Sequence, residues 1–111
     1  MLRDSKAYLW DVLQAAREIE SFVAGIDGLA YAESPMLSAA VERKFEIIGE
    51  ALNQLSRQDP VLAASIPNLE QIVAFRNILI HGYALVNHDR VWRIVQEFLP
   101  QLRTRVEELL R

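Results

Sequence analysis

Arg76, Asn77, His81 and Tyr83 lie within one eight-residue stretch, RNILIHGY, whose remaining residues are isoleucine, leucine and glycine. Arginine can hold a phosphate through paired N–H donors. Histidine can take and give protons near neutral pH. These two residue types, without a cluster of carboxylates, suit metal-free cleavage of RNA. In that reaction the 2′-hydroxyl of the RNA is the nucleophile, and the protein moves protons and stabilises charge on phosphorus.

The same residues also permit a structural interpretation. Since a buried arginine must be paired, Arg76 could form an ion pair with Glu50 or Glu70, and His81 could be a core histidine bonded to a carbonyl. Five residues turn about 140° around an ideal helix, so Arg76 and His81 would not point to one spot. The length of arginine, a distorted helix end at Gly82 or a second subunit could bring them together.

Apolar residues recur with helical periodicity along the chain, and no strand pattern is present. The elements that must position the polar residues are therefore helices, predicted at residues 4–26, 35–58, 69–81 and 88–110. Four helices joined by short links favour an all-α, antiparallel four-helix-type bundle. A length of 111 residues suits a single helical domain over 1–111.

Residues that favour helix ends flank these segments. Gly82 is expected to end the third helix, and Pro100 is expected to bend or break the fourth. Asp27-Gly28 is expected to end the first helix. The expected N-caps are Asp4 or Ser5, Ser34 ahead of Pro35, Asn68 in a capping box with Gln71, and Asn87.

The second helix carries an apolar seam and, in its middle, a glycine. Gly49 costs up to about 1 kcal/mol relative to alanine inside a helix, and the close passage of a neighbouring backbone would explain it. The opposite face is expected to meet solvent or a partner, although Glu50 could hold Arg76. The seam consists of Val41, Phe45, Ile48, Leu52 and Leu55.

The third helix is apolar almost all round, which is typical of a helix buried on more than one side. In a four-helix monomer each helix normally keeps one face in water. The third helix therefore predicts a second interface, most simply with a second copy in a twofold homodimer through the central helices.

The composition and net charge of the chain limit which metal sites, locations and partners are expected. The chain has no cysteine, which excludes disulfides and thiolate metal sites and fits a cytoplasmic location. The N-terminal MLRDSKAYLWD has no long apolar region, so no signal peptide is expected, and no run is long enough to span a membrane. The net charge of −3 argues against a surface coated in basic residues, although residues 71–111 hold six arginines and four acids.

At residues 76–83 the sequence resembles the HEPN domains. Arg76-Asn77-Ile78-Leu79-Ile80-His81 matches their R-x4-H motif, and Tyr83 extends it to the R-x4-H-x-Y form of the HepT toxins from HepT–MntA toxin–antitoxin pairs. The similarity covers most of the chain. It includes ERKFEIIGEAL at 42–52, SIPNLEQIVAFRNILIHGY at 65–83 and VWRIVQEFLPQLRTRVEELL at 91–110.

The resemblance implies a homodimeric, metal-independent endoribonuclease toxin without cofactors, in a type VII-like toxin–antitoxin pair. Two motifs would meet in a cleft at the twofold axis. His81 would be the general acid and base, Arg76 would hold the scissile phosphate, and Asn77 would support them. An MntA-like minimal nucleotidyltransferase antitoxin would transfer AMP from ATP to Tyr83.

Other residues have weaker signals. Arg90 and Arg93 could line the cleft and guide the RNA backbone, or could belong to a solvated face. Trp10 and Trp92 are expected in the core rather than as stacking platforms for bases. No metal site is expected, since His81 and His88 are separated by helix-breaking residues and lack paired carboxylates.

A different class of function is also open. The chain could be a non-catalytic helical adaptor or nucleotide-binding subunit that binds a nucleotidyltransferase. The complete set of Arg76, His81 and Tyr83 favours the ribonuclease, whereas the acidic net charge mildly favours the adaptor.

Overall fold

A computed structural model describes residues 3–111, which form helices joined by short turns with no strand among them. The all-α prediction is confirmed. A 3-10 turn spans Tyr83–Leu85, and a π-helical segment spans Ile94–Phe98. The α-helices are α1 Ser5–Phe22, α2 Gly28–Ala32, α3 Pro35–Gln58, α4 Pro60–Ala63, α5 Leu69–His81, α6 His88–Arg93 and α7 Leu99–Leu109.

Helices α1, α3, α5 and α7 pack as an antiparallel bundle. The start of α1 meets the end of α3, where the Gln58 amide donates to the Ser5 hydroxyl at 3.1 Å. At the other end of this pair, Lys44 of α3 lies 2.9 Å from Glu18 of α1. Helix α5 packs along α3, and α7 packs along α1. The active-site candidates on α5 are therefore held against the longest helix.

One continuous apolar core runs through the bundle. The predicted seam of α3 faces it, and its five residues are almost fully buried. Helix α5 buries Ile72, Phe75 and Leu79, and Phe75 meets Phe45 of α3 edge to face with ring centroids 5.4 Å apart. Within residues 3–111, no helix is long and apolar enough to cross a membrane.

Most predicted helix ends are confirmed. Asp4, Ser34 and Asn87 each accept a bond from a backbone N–H of the first turn. Gly82 follows the last residue of α5, and its N–H donates to the Ile78 carbonyl at 2.8 Å. The connection between α3 and α5 contains the short helix α4.

The predicted capping box at Asn68 is wrong. Asn68 has a left-handed backbone with φ of 59°, and its side chain makes no capping bond. Asparagine tolerates this conformation better than most residues. It therefore turns the chain into α5 through its backbone, and Gln71 is exposed.

The first helix ends earlier than predicted. Helix α1 stops at Phe22, and Gly25 takes a positive φ of 77° in the following turn. Asp27 does not end a helix, because its carboxylate accepts from the Ala30 N–H at 2.8 Å and so begins α2. Five residues are too few for a clear periodic pattern, which is why α2 was missed.

Pro100 changes the last helix without breaking it. Proline lacks an N–H and clashes with the carbonyl four residues earlier, here that of Gln96. The π-helical segment Ile94–Phe98 contains this carbonyl, and α7 begins immediately after it. The widened turn accommodates the proline ring, so α6, the π segment and α7 follow one another without a gap.

The two tryptophans differ. Trp10 is 54% exposed, so its predicted place in the core is wrong. Trp92 packs against the core and stacks on Tyr31 of α2, with ring centroids 5.5 Å apart.

Tyr31 is completely buried, and its hydroxyl has no hydrogen-bond partner among the described residues. Burial, followed by the charge of Glu42, raises the pKa of Tyr31 well above its ordinary value.

Gly49 is explained by the packing of α5. A Cβ at this position would overlap the Cβ of Arg76 and lie 2.7 Å from its Cγ, with the Ile72 carbonyl oxygen at 3.5 Å. The expected close neighbour is therefore present, and its nearest atoms belong to the root of the Arg76 side chain. Only a glycine lets the two helices approach this closely.

Substitution Gly49→Ala should destabilise the protein by about 1–3 kcal/mol, since the added methyl forces α3 and α5 apart. Helix propensity alone predicts a gain of up to about 1 kcal/mol. Urea unfolding followed by circular dichroism measures the difference. Asn53→Ala, one turn later on α3, is the matched control and should be neutral or slightly stabilising. A stabilised Gly49→Ala protein would contradict this packing.

Substitution Tyr31→Phe should leave the free energy of unfolding unchanged or raise it by up to about 1 kcal/mol. It removes a buried hydroxyl whose desolvation is uncompensated and keeps the ring stacked on Trp92. Tyr31→Ala, which removes the ring as well, should cost about 3–5 kcal/mol. A loss of more than about 1 kcal/mol in Tyr31→Phe would mean that the hydroxyl has a partner.

Candidate functional site

The final turns of α5 and the turn after it carry the four residues of the motif. Arg76, Asn77 and His81 lie on α5, which ends at His81. Tyr83 begins the following 3-10 turn. Because Gly82 interrupts the helix between His81 and Tyr83, the tyrosine does not continue the helical face that carries Arg76.

The Arg76 guanidinium is bonded on both terminal nitrogens. Nη2 donates to Glu50 Oε2 at 2.6 Å, and Nη1 donates to Asn77 Oδ1 at 2.9 Å. Arg76 Nε is buried and has no hydrogen-bond partner within residues 3–111. Of the two ion pairs that the sequence allowed, the one with Glu50 is present, whereas Glu70 is exposed at the start of α5.

Glu50 is itself held in place. Its other carboxylate oxygen, Oε1, accepts from Gln54 Nε2 at 3.0 Å, one turn later on α3. The four side chains form a chain of hydrogen bonds from Gln54 through Glu50 and Arg76 to Asn77. Together with the Gly49 contact, this network fixes both the root and the head of the Arg76 side chain.

A cleft of about 480 Å³ lies beside this network, between α1, α3 and α5. Its charged side chains are balanced, with three arginines and three carboxylates. Arg3 pairs with Asp11 at 2.7 Å, as Arg76 pairs with Glu50. The lining charged residues are Arg3, Asp11, Arg43, Glu46, Glu50 and Arg76.

His81 and Tyr83 have a different environment. Both side chains are exposed, Tyr83 by 80%, and neither lines the cleft that contains Arg76. The core-histidine interpretation of His81 is therefore wrong. Ile80 and Leu85, which flank these two residues, are also exposed, by 37% and 79%. In one subunit Arg76 lines the 480 Å³ cleft, whereas His81 does not.

Arg90 and Arg93 do not reach the Arg76 cleft. They line a separate cavity of about 250 Å³ between α5, α6 and the π segment, and its lining includes Phe75 and Phe98. Arg93 Nε donates to Glu97 at 3.0 Å. Their role in guiding RNA stays a prediction, on a different surface of the subunit from the one expected.

The cleft residues that come from α1 and from the segment just before it were missed. Arg3, Tyr8 and Asp11 lie more than 60 residues before Arg76 in the chain, and they have no local motif. Only the antiparallel packing of α1 on α3 brings them to this cleft. By contrast, Gly49 was a usable signal, because a mid-helix glycine indicates that another element passes close to it.

No group of three or more histidine, aspartate or glutamate side chains in residues 3–111 is arranged to hold a metal ion. The arginines that line the Arg76 cleft can donate hydrogen bonds to an anion, and its carboxylates can accept bonds from N–H and O–H groups. His81, the exposed histidine at the end of α5, does not line this cleft.

The family model described as "Ribonuclease HepT-like" matches residues 12–109. The "Putative RNase MJ1380" of Methanocaldococcus jannaschii is 36% identical over 107 residues, which cover 95% of each chain. The "Probable ribonuclease HepT" of Thermococcus cleftensis is 33% identical over 109 residues, which cover 98% of each chain. No solved structure shows a significant match to the chain.

Proposed function

The chain belongs to the HepT-like ribonuclease family, and we propose that it is a metal-independent endoribonuclease that acts as a homodimer. One observation carries the proposal. Helix α5 carries an exposed His81 at its end and, five residues earlier, an Arg76 held by Glu50, in a chain that matches a ribonuclease family over residues 12–109. RNA is then the substrate, and the cytoplasm is the expected place of action.

The dimer accounts for the separation of the two residues. Arg76 lies in a cleft on one side of α5, and His81 is exposed at its end. Two copies that pack together through the ends of their α5 helices would bring four motif residues, Arg76 and His81 from each copy, to one composite site. The exposed side chains of Ile80 and Leu85 supply apolar surface for this contact. Symmetric packing of the same patch from both copies is the usual geometry of a homodimer.

The proposed reaction needs only protons and electrostatic stabilisation. His81 of one copy takes the proton of the RNA 2′-hydroxyl as that oxygen attacks phosphorus. The bond from phosphorus to the 5′-oxygen breaks, and His81 of the second copy supplies a proton to the leaving oxygen. Arg76 holds the phosphate and stabilises its developing charge. Asn77 supports the arginine through the bond to Nη1. The products are a 2′,3′-cyclic phosphate and a 5′-hydroxyl.

We further propose that the protein is the toxin of a toxin–antitoxin pair of the type VII kind. The antitoxin is an MntA-like minimal nucleotidyltransferase. The Tyr83 hydroxyl attacks the α-phosphorus of ATP, AMP is transferred to the oxygen, and pyrophosphate leaves. The exposure of Tyr83 supports this step, since a modifying enzyme must reach the hydroxyl. The added anionic nucleotide would occupy the RNA site and compete for Arg76.

Cleavage of RNA by the purified protein in EDTA tests the main proposal. Total cellular RNA, tRNA included, should be cut to products with cyclic phosphate ends. His81→Ala and Arg76→Ala should each lower the rate about a hundredfold or more. His88→Ala is the control for loss of a histidine and should cut normally. A folded, unmodified, dimeric wild type that cuts none of these RNAs would favour the adaptor function. Activity that survives both motif substitutions would exclude these two residues as catalytic.

Modification of Tyr83 has a separate test. With ATP, Mg²⁺ and an MntA-like nucleotidyltransferase, the intact mass should rise by the mass of AMP, and RNA cleavage should stop. Tyr83→Phe should keep its original mass and continue to cut RNA in the presence of the antitoxin. Tyr8→Phe, the control, should be modified like the wild type. Transfer of AMP to Tyr83→Phe would place the acceptor elsewhere.

A further inference from the structure

We propose that Glu50 is a positioning residue for Arg76. Its carboxylate sets the orientation of the Arg76 guanidinium and at the same time lowers the affinity for RNA. The inference rests on the proposed ribonuclease function and extends it to a residue outside the R-x4-H-x-Y motif. Glu50 lies on α3, 26 residues before Arg76, and its carboxylate makes the 2.6 Å bond to Nη2.

The geometry indicates that Glu50 orients the Arg76 guanidinium and does not merely compensate its charge. Both oxygens of Glu50 are engaged, one with Gln54 and the other with Arg76. The Arg76 side chain is packed at its root against Gly49, so the remaining freedom of the guanidinium lies in its outer torsions. The bonds to Glu50 and Asn77 restrict those torsions before any substrate arrives. Such preorganisation is valuable where charge must be stabilised in a transition state.

The donors of Arg76 are only partly used. The two terminal nitrogens carry four N–H groups, of which one donates to Glu50 and one to Asn77. The others can serve a phosphate while the carboxylate stays in place. Glu50 therefore holds the guanidinium without consuming its capacity to bind the substrate.

The negative charge of Glu50 has a second effect. Its side chain is 45% exposed at the cleft, so it would lie near a phosphate bound to Arg76 and repel it. Loss of the carboxylate should thus slow the chemical step without weakening the binding of RNA. The rate constant kcat falls because the guanidinium is less well oriented, and KM stays the same or falls because repulsion is removed.

Steady-state cleavage of a defined RNA by the dimeric protein tests the inference with three variants. Glu50→Ala should lower kcat about tenfold to a hundredfold without raising KM. Glu50→Gln, which keeps the shape and one acceptor oxygen, should lie between Glu50→Ala and the wild type. Glu70→Ala is the control, because it removes an exposed carboxylate that neither lines this cleft nor bonds to Arg76. It should keep the wild-type kcat.

A double substitution separates positioning from a general structural effect. If Glu50 acts through Arg76, then Glu50→Ala combined with Arg76→Ala should cleave as slowly as Arg76→Ala alone. The inference would be overturned by a further loss of activity in the double variant, or by Glu50→Ala with a raised KM or an unchanged kcat. In each of these cases, cleavage by the wild type would leave the proposed function intact. A folded wild type without any cleavage would remove the proposed function, and this inference with it. Circular dichroism of each variant establishes that it is folded.

Discussion

The close contact of α5 with α3 at Gly49 is the constraint on which the candidate site depends. Because residue 49 has no side chain, the root of Arg76 lies directly against α3. The adjacent residue on α3 is Glu50, whose carboxylate then meets the guanidinium. Glycine is unfavourable inside a helix, but at residue 49 it allows the Arg76 side chain to pack directly against α3. The absence of a side chain at residue 49 therefore sets both the distance between α3 and α5 and the ion-pair partner of Arg76.

The motif residues have unequal freedom. Arg76 is held by packing and by two hydrogen bonds in a cleft whose charged residues balance, whereas His81 and Tyr83 are exposed where α5 ends. This division suits the proposed dimeric site, since Arg76, the proposed phosphate-binding group, is already held and His81, the proposed proton-transfer group, is exposed. It also suits the proposed modification, because Tyr83 is accessible without unfolding of the subunit. The balanced charges of the cleft fit the proposal that a protein of acidic net charge binds RNA at a restricted site.

The last third of the chain shows how irregular helix geometry preserves a bundle. A proline in the middle of a helix would normally kink it, yet α7 keeps its antiparallel packing on α1, with Arg103 2.6 Å from Glu20. The π-helical segment before Pro100 widens the helix at the carbonyl that the ring would strike. Two of the residues in this segment, Ile94 and Phe98, also line the cavity that contains Arg90 and Arg93. The adjustment for the proline thus shapes a second concave surface.

The sequence by itself determined the all-α class, the approximate extents of the long helices, most of their caps and the seam of α3. These depend on periodicity and capping, which are encoded within a few residues. It also located the motif, through a pattern of six to eight neighbouring residues. Only the tertiary structure decided that Arg76 pairs with Glu50 instead of Glu70, that Arg3 and Asp11 line the cleft, and that Trp10 and His81 are exposed. Each of these depends on where two helices cross, and that position is set by side-chain contacts between residues far apart in the chain.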